Sequence, residues 1–290
     1  MTTRTIAPDP AAAAAPRPGT RSRRPRHLVA YGFVAVVMLG YLFPLLFLLN
    51  TALKSQKAFN TSPGGLVSAL NWSNISDAWT RGNFGHYIVN SILYTACATT
   101  IGTCVSVVLA FPVSRGYLKG SRYWTVLFVM VLFLPNAIIT QFQLLLRLHL
   151  YGTSLGYILI MCAGVGVGPL LMNGYVKSIP VELDEAAALD GVGYFRYLWN
   201  FVVPLARPAV VTIFILQAIW VWNEIILATV LLPDQNKSPL TLGLFNFEGT
   251  YSNQWPLLAA ATMIVATPLI VAYLLLQRFI VNGVTGGVKG

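Results

Sequence analysis

Long apolar runs separated by short polar stretches fill the chain from about residue 28 onward. They do not alternate with period two and do not form a one-sided helical stripe, so they fit segments surrounded by hydrocarbon better than the faces of a soluble core. Six of them suffice to cross a hydrocarbon layer of about 30 Å, which takes about 20 helical residues. They lie at about 28–50, 88–112, 123–146, 153–172, 208–232 and 257–276. The fourth contains Gly164, Gly166, Gly168 and Pro169, and is the one expected to bend. The longest connections, 51–87, 173–207 and 233–256, leave no room for a soluble domain between spans. The pattern predicts an all-α integral membrane protein with six transmembrane helices over residues 28–290. A tail at 1–27, rich in Ala, Pro, Arg, Ser and Thr, is expected to be disordered.

Composition agrees: 56% of the residues are hydrophobic and 10% charged, against about 25% charged in soluble domains. The run at 28–50 is too long for the apolar part of a signal peptide and lacks a small-residue cleavage site, so it reads as an uncleaved first span. The net charge of +10 does not indicate a nucleic-acid partner, because the basic residues form no stripe interleaved with aromatics. Their distribution sets orientation instead. Arg4, Arg17, Arg21, Arg23, Arg24 and Arg26 fall in the tail, and Arg115, Lys119, Arg122, Lys177, Arg196, Arg207, Arg278 and Lys289 in alternate loops and the C-terminus. The opposite side holds only Lys54, Lys57, Arg81, Arg147 and Lys237. That bias of 14 to 5 predicts both termini in the cytoplasm, with the tail beside anionic headgroups.

Catalytic chemistry is not indicated. A phosphate-binding loop needs a Gly-Lys-Ser/Thr ending, and none of the six lysines follows a glycine. His27, His86 and His149 are isolated, and Cys97, Cys104 and Cys162 lie in apolar runs with no partner ligands, so no metal site is expected. Polar groups within spans are costly and should face protein or water. Asn136, Gln141, Gln217, Trp220, Asn223 and Glu224 are therefore candidates for a solute pathway, where amides and an aromatic face suit hydroxylated solutes. Bonds between helices would account for the same residues. An ion-driven carrier would call for ionisable relays inside the spans, of which only Glu224 is clear, with Arg147 at a rim.

The most informative stretch is 178–208, on the cytoplasmic side by charge, with four of the nine acidic residues: Glu182, Asp184, Glu185 and Asp190. Pro180, early acids, Ala186 to Ala188 and a terminal Gly191 predict a short helix, followed by a second at about 194–200. An acidic, alanine-rich helix differs from the basic helices that lie on membranes, and suits docking to another protein. Glu185-Ala186-Ala187, three residues, Gly191, nine residues and Phe201-Val202-Val203-Pro204 resemble the EAA loop of binding-protein-dependent ABC importer permeases, with Phe201 and Val203 in place of Ile and Leu. The run from Pro180 to Gly191, Trp222-Asn223 and the ending Gln277-Arg278 to Gly290 are similar to the carbohydrate-uptake branch, the maltose-permease G type, with Gly287 where Ala is usual.

The resemblance implies a type I ABC importer fold in a bacterial cytoplasmic membrane. It implies a second permease, two ATPase subunits that hold the ATP, an extracytoplasmic solute-binding protein and a sugar substrate, with glycerol phosphates as an alternative class. The chain itself would carry no cofactor. The residues matching the coupling loop are Glu182, Glu185, Ala186, Ala187, Asp190, Gly191 and Pro204, with Ala187 expected against the ATPase groove. The loop Pro233 to Pro256, with Asn236, Asn246, Phe247, Tyr251, Asn253 and Trp255, is expected to meet the binding protein.

Overall fold

The computed structural model describes residues 24–135, 137–163 and 167–286, in two units divided after Phe47. All regular elements among the described residues are helical. The first unit consists of the start of α1 (Arg24–Ala52), where Phe43 stacks on Phe47 one turn away.

In the second unit, α4 (Phe84–Ser114) is the central helix. It packs against α7 (Ser154–Ala163), α8 (Val167–Lys177) and α12 (Arg207–Asn223), and α12 in turn packs on α15 (Trp255–Gly286). One face of α4 is lined by small or hydroxyl-bearing residues, Ala98, Gly102, Ser106 and Ala110, all buried. Small side chains let helices approach closely where no hydrophobic effect drives them together.

Among the described residues, three helices are continuous, long and apolar enough to cross a membrane: residues 30–52, 84–114 and 255–275. They match the first, second and sixth expected spans. The other three expected spans are not single straight helices. The segment 123–146 is divided into α5 (Ser121–Val131) and α6 (Ile138–Arg147). Pro135 lies in the gap, lacks a backbone donor and disfavours helix in the residue before it. The fourth span is α7 followed by α8, meeting at 44°; Gly164 and Gly166, where the bend was expected, lie outside the described residues. The segment 208–232 ends as α12 at Asn223 and restarts as α13 (Ile226–Leu231). Its break has a local cause: Glu224 Oε1 accepts a hydrogen bond from Leu227 N at 2.9 Å, capping α13 in place of a helix turn.

Two of the expected loops are also folded. Residues 51–87 carry α2 (Gln56–Thr61) and α3 (Ser73–Arg81). Here the Lys54 ammonium is buried and donates to the carbonyls of Ser62 and Pro63 at 3.0 and 2.9 Å. Residues 233–256 contain α14 (Leu240–Tyr251), begun by a bond from Leu240 N to Ser91 Oγ at 2.7 Å. Phe247 of this helix is buried against Phe84, ring centroids 5.5 Å apart, so it is unavailable at the outer surface. Phe245 and Trp255 remain exposed.

Candidate functional site: the acidic helix and its seat

The residues 182–189 form α9, with Glu182, Asp184 and Glu185 in its first turn, where negative charge complements the helix dipole. The helix stops at Asp190, and Gly191 follows with φ +69°, a left-handed conformation that side chains with a β-carbon resist. Gly191 N donates to the carbonyl of Ala188 and Val192 N to that of Ala187, which closes the helix end. The second expected helix is present and longer. It begins as α10 (Tyr194–Tyr197), passes through a wider π turn at Leu198–Val202 and ends as α11 (Val203–Leu205), in whose first turn Pro204 is exposed. It meets α12 at 83°, so it is an arm set across that helix and not an extension of it.

The two faces of α9 differ sharply. Glu182, Glu185, Ala186, Leu189 and Asp190 are exposed, whereas Asp184 and Ala187, one turn apart, are buried. Ala187 lies in a core with Phe111, Val176, Tyr197, Leu198 and Val202. Its small side chain therefore seats α9 on its own chain, which corrects the expectation that it packs against a partner.

Asp184 occupies the polar centre of that seat. Its Oδ1 accepts from Arg115 at 3.1 Å and from Tyr197 Oη at 2.5 Å, and Oδ2 accepts from Tyr117 Oη at 2.9 Å. Arg115 Nε lies 2.7 Å from Oδ2 as an ion contact without hydrogen-bond alignment, and both charged side chains are about 5% exposed. The guanidinium also donates to the carbonyl of Ile179 at 2.9 Å, immediately before Pro180. A buried charge is tolerated when paired and hydrogen-bonded, and this carboxylate has four polar contacts. Burial pushes the phenols of Tyr117 and Tyr197 above their ordinary pKa, and the bond each donates to Asp184 adds to the shift. Asp184, Arg115, Tyr117 and Tyr197 are absent from the residues selected by pattern. A weak cue existed, since Asp184 and Ala187 share a face at i, i+3 spacing.

The candidate pathway residues separate into two groups; Asn136 lies outside the described residues. Gln141, Gln217 and Trp220 line one cleft of about 560 Å³ among α6, α7, α8 and α12, with Pro135, Leu216 and Leu227. Gln217 is buried, with its amide 3.4 Å from the carbonyl of Ala98, and its Oε1, like that of Gln141, has no partner among the described residues. Asn223 and Glu224 do not line this cleft. Asn223 Nδ2 donates back to Ile219 O at 2.8 Å, and Glu224 caps α13. Both are engaged in local backbone structure.

The described residues thus form a helical domain with long apolar helices and an acidic helix seated at the end of α4. Residues 95–286 match the family described as binding-protein-dependent transport system inner membrane component, and the chain belongs to that family. It is similar to the probable ABC transporter permease protein YurM of Bacillus subtilis (strain 168), 30% identical over 89% of this chain and 87% of the relative. It is also similar to the melibiose/raffinose/stachyose import permease protein MelC of the same organism, 28% identical over 88% of this chain and 94% of the relative. Among solved structures, a bacterial ABC transporter involved in import of the acidic polysaccharide alginate superposes with a TM-score of 0.77. At 24% identity it covers 89% of this chain and 98% of its own. The type I permease fold follows from these likenesses, and members of the family are non-catalytic transport components.

Proposed function

We propose that this chain is one of two permease subunits of an importer for sugars or oligosaccharides, driven by separate ATPase subunits. The relatives support the substrate class, since MelC is named for melibiose, raffinose and stachyose and other relatives for starch degradation products and maltodextrin. In this reading six membrane crossings lie in a bacterial cytoplasmic membrane, with both termini inside, in keeping with the distribution of basic residues.

The observation that carries the proposal is the division of α9 into two faces. One face, with Asp184 and Ala187, is committed to the chain's own core, while Glu182, Glu185 and Ala186 stand exposed on a short helix. Exposed carboxylates beside an alanine suit close approach of a basic groove on an ATPase, where charge-assisted bonds contribute about 1.5–3 kcal/mol when shielded from water. Gln141, Gln217 and Trp220 belong to the solute pathway in this reading, with Phe245 and Trp255 near the binding-protein contact.

Copurification and uptake test it together. In the assembled transporter, Glu185→Arg or Gly191→Asp is expected to leave the permease in the membrane but to release the ATPase or abolish uptake. Full uptake of labelled oligosaccharide with both variants would remove α9 from the coupling role.

A further inference from the structure

Arg115 is placed to do more than neutralise Asp184. It is the residue that caps the C-terminus of α4, the 31-residue central helix, and its backbone N–H donates to Phe111 O at that end. Its side chain grips α9 through both carboxylate oxygens of Asp184 and grips the preceding strand of chain through Ile179 O. Tyr117, two residues beyond Arg115, and Tyr197, on the arm after α9, close on the same carboxylate. The end of α4, 69 positions away in sequence, and the arm after α9 thus meet on one buried side chain. Phe111, one turn before Arg115, packs its ring against Tyr117, Tyr194 and Tyr197 with centroids 5.6–6.0 Å apart, so the joint is braced by aromatic contacts as well as charge.

We propose that the Asp184–Arg115 pair is the joint through which displacement of α9 is passed to α4, and that these two positioning residues fix the number of solute molecules moved per ATP. The inference rests on the coupling role proposed for α9 and adds the residues by which that helix acts on the membrane domain. A planar guanidinium that donates to one carboxylate oxygen and lies 2.7 Å from the other as an ion contact resists rotation as well as separation, which a single ammonium contact does not. The exposed acids Glu182 and Glu185 take no part in this joint, so docking and transmission fall on opposite faces of the same short helix.

The test uses the complete transporter in proteoliposomes, with the wild-type chain first shown to copurify with its ATPase. Asp184→Asn keeps the shape and an acceptor for the tyrosines but removes the ion pair; Arg115→Lys keeps the charge but not the fork. Two readouts are taken: solute imported per ATP hydrolysed, and the distance distribution between spin labels at Leu189 on α9 and Leu109 on α4, both exposed. The expected result is retained ATPase binding, a fall of fivefold or more in solute per ATP for Asp184→Asn, a smaller fall for Arg115→Lys, and a broadened distance distribution in both. If Asp184→Asn does not accumulate, Arg115→Lys decides alone. A wild-type transport ratio with a narrow distance distribution would overturn the proposal. Loss of the ATPase from both variants would overturn it too, by making the pair a support for the docking face. Failure of the wild-type chain to bind any ATPase would instead sink the underlying coupling reading.

Discussion

Gly102 on α4 leaves the space that the Gln217 carboxamide of α12 occupies: a β-carbon at Gly102 would fall 2.1 Å from Nε2 and 2.7 Å from Oε1. The two helices are therefore held at a separation set by one missing side chain and one buried amide. Gly102→Ala is expected to push the amide aside and to destabilise the protein by about 1–3 kcal/mol, the usual cost of overpacking. Gln217→Ala removes the obstacle, so the double variant should be less destabilised than the sum of the two single ones. Thermal unfolding of the purified protein in detergent measures both; simple additivity would show that the contact does not set the spacing.

Gly191 tests backbone conformation without steric interference. Its φ is +69° and nothing lies within 4 Å of where a β-carbon would stand. Substitution should therefore follow left-handed propensity and not size: Gly191→Asn nearly neutral, Gly191→Ala about 1 kcal/mol worse, Gly191→Val worse still. Hydrogen exchange across 182–197 reads the local loosening, and equal protection in the Asn and Val variants would contradict it.

The phenols around Asp184 predict a pH limit for the seat of α9. Tyr117 and Tyr197 have raised pKa values in the folded chain, from burial first and the bond to Asp184 second. A raised pKa means the neutral phenol is favoured by folding. Its contribution is intact below the ordinary phenol value of about 10 and is lost as pH rises above it. Trypsin cleavage after Arg196 should be slow and nearly constant from about pH 7 to 9 and should accelerate only above about pH 10. Tyr197→Phe should raise cleavage at every pH, since losing a bond to a carboxylate costs about 1.5–3 kcal/mol. A cleavage rate that climbs between pH 7 and 9 would point to a different group.

Glu224 is expected to act through the backbone. Its carboxylate caps α13 from a position outside the cleft. Glu224→Gln keeps an acceptor and should support uptake close to wild type. Glu224→Ala loses the cap, worth about 0.5–2 kcal/mol, and should lower stability along with uptake. Loss of uptake in the Gln variant at unchanged stability would assign the charge a role in transport.

Hydropathy made α1, α4 and α15 legible because each carries an unbroken apolar stretch of more than 20 residues. It could not reveal the breaks near Pro135 and Glu224, since apolar residues on both sides of a break read the same as one straight helix. α14 was hidden by Gly243, Asn246 and Gly249, which lower helix propensity, whereas burial of Leu240, Leu242 and Phe247 holds it in place. In the candidate site, α9 and its glycine stop were readable from local spacing. The buried joint was not, because Arg115 and Asp184 are separated by 69 positions and no local pattern links them. Gln141, Gln217 and Trp220 share a cleft only because the gap after α5 and the course of α12 bring them together.

The elbow at Ala206 has a mechanical consequence. The Tyr194–Leu205 arm is about 18 Å long at helical rise, and it stands at 83° to α12, nearly a crank on a shaft. Turning the shaft by some ten degrees sweeps the tip of the arm through about 3 Å, but moves side chains at the helix surface, about 5–6 Å from its axis, by only about 1 Å. The linkage is a reduction gear of roughly threefold, by the same radii. In the coupling reading, a stroke that turned arm and helix together would reach Gln217 and Trp220 as a finer adjustment of position, reduced by the same ratio.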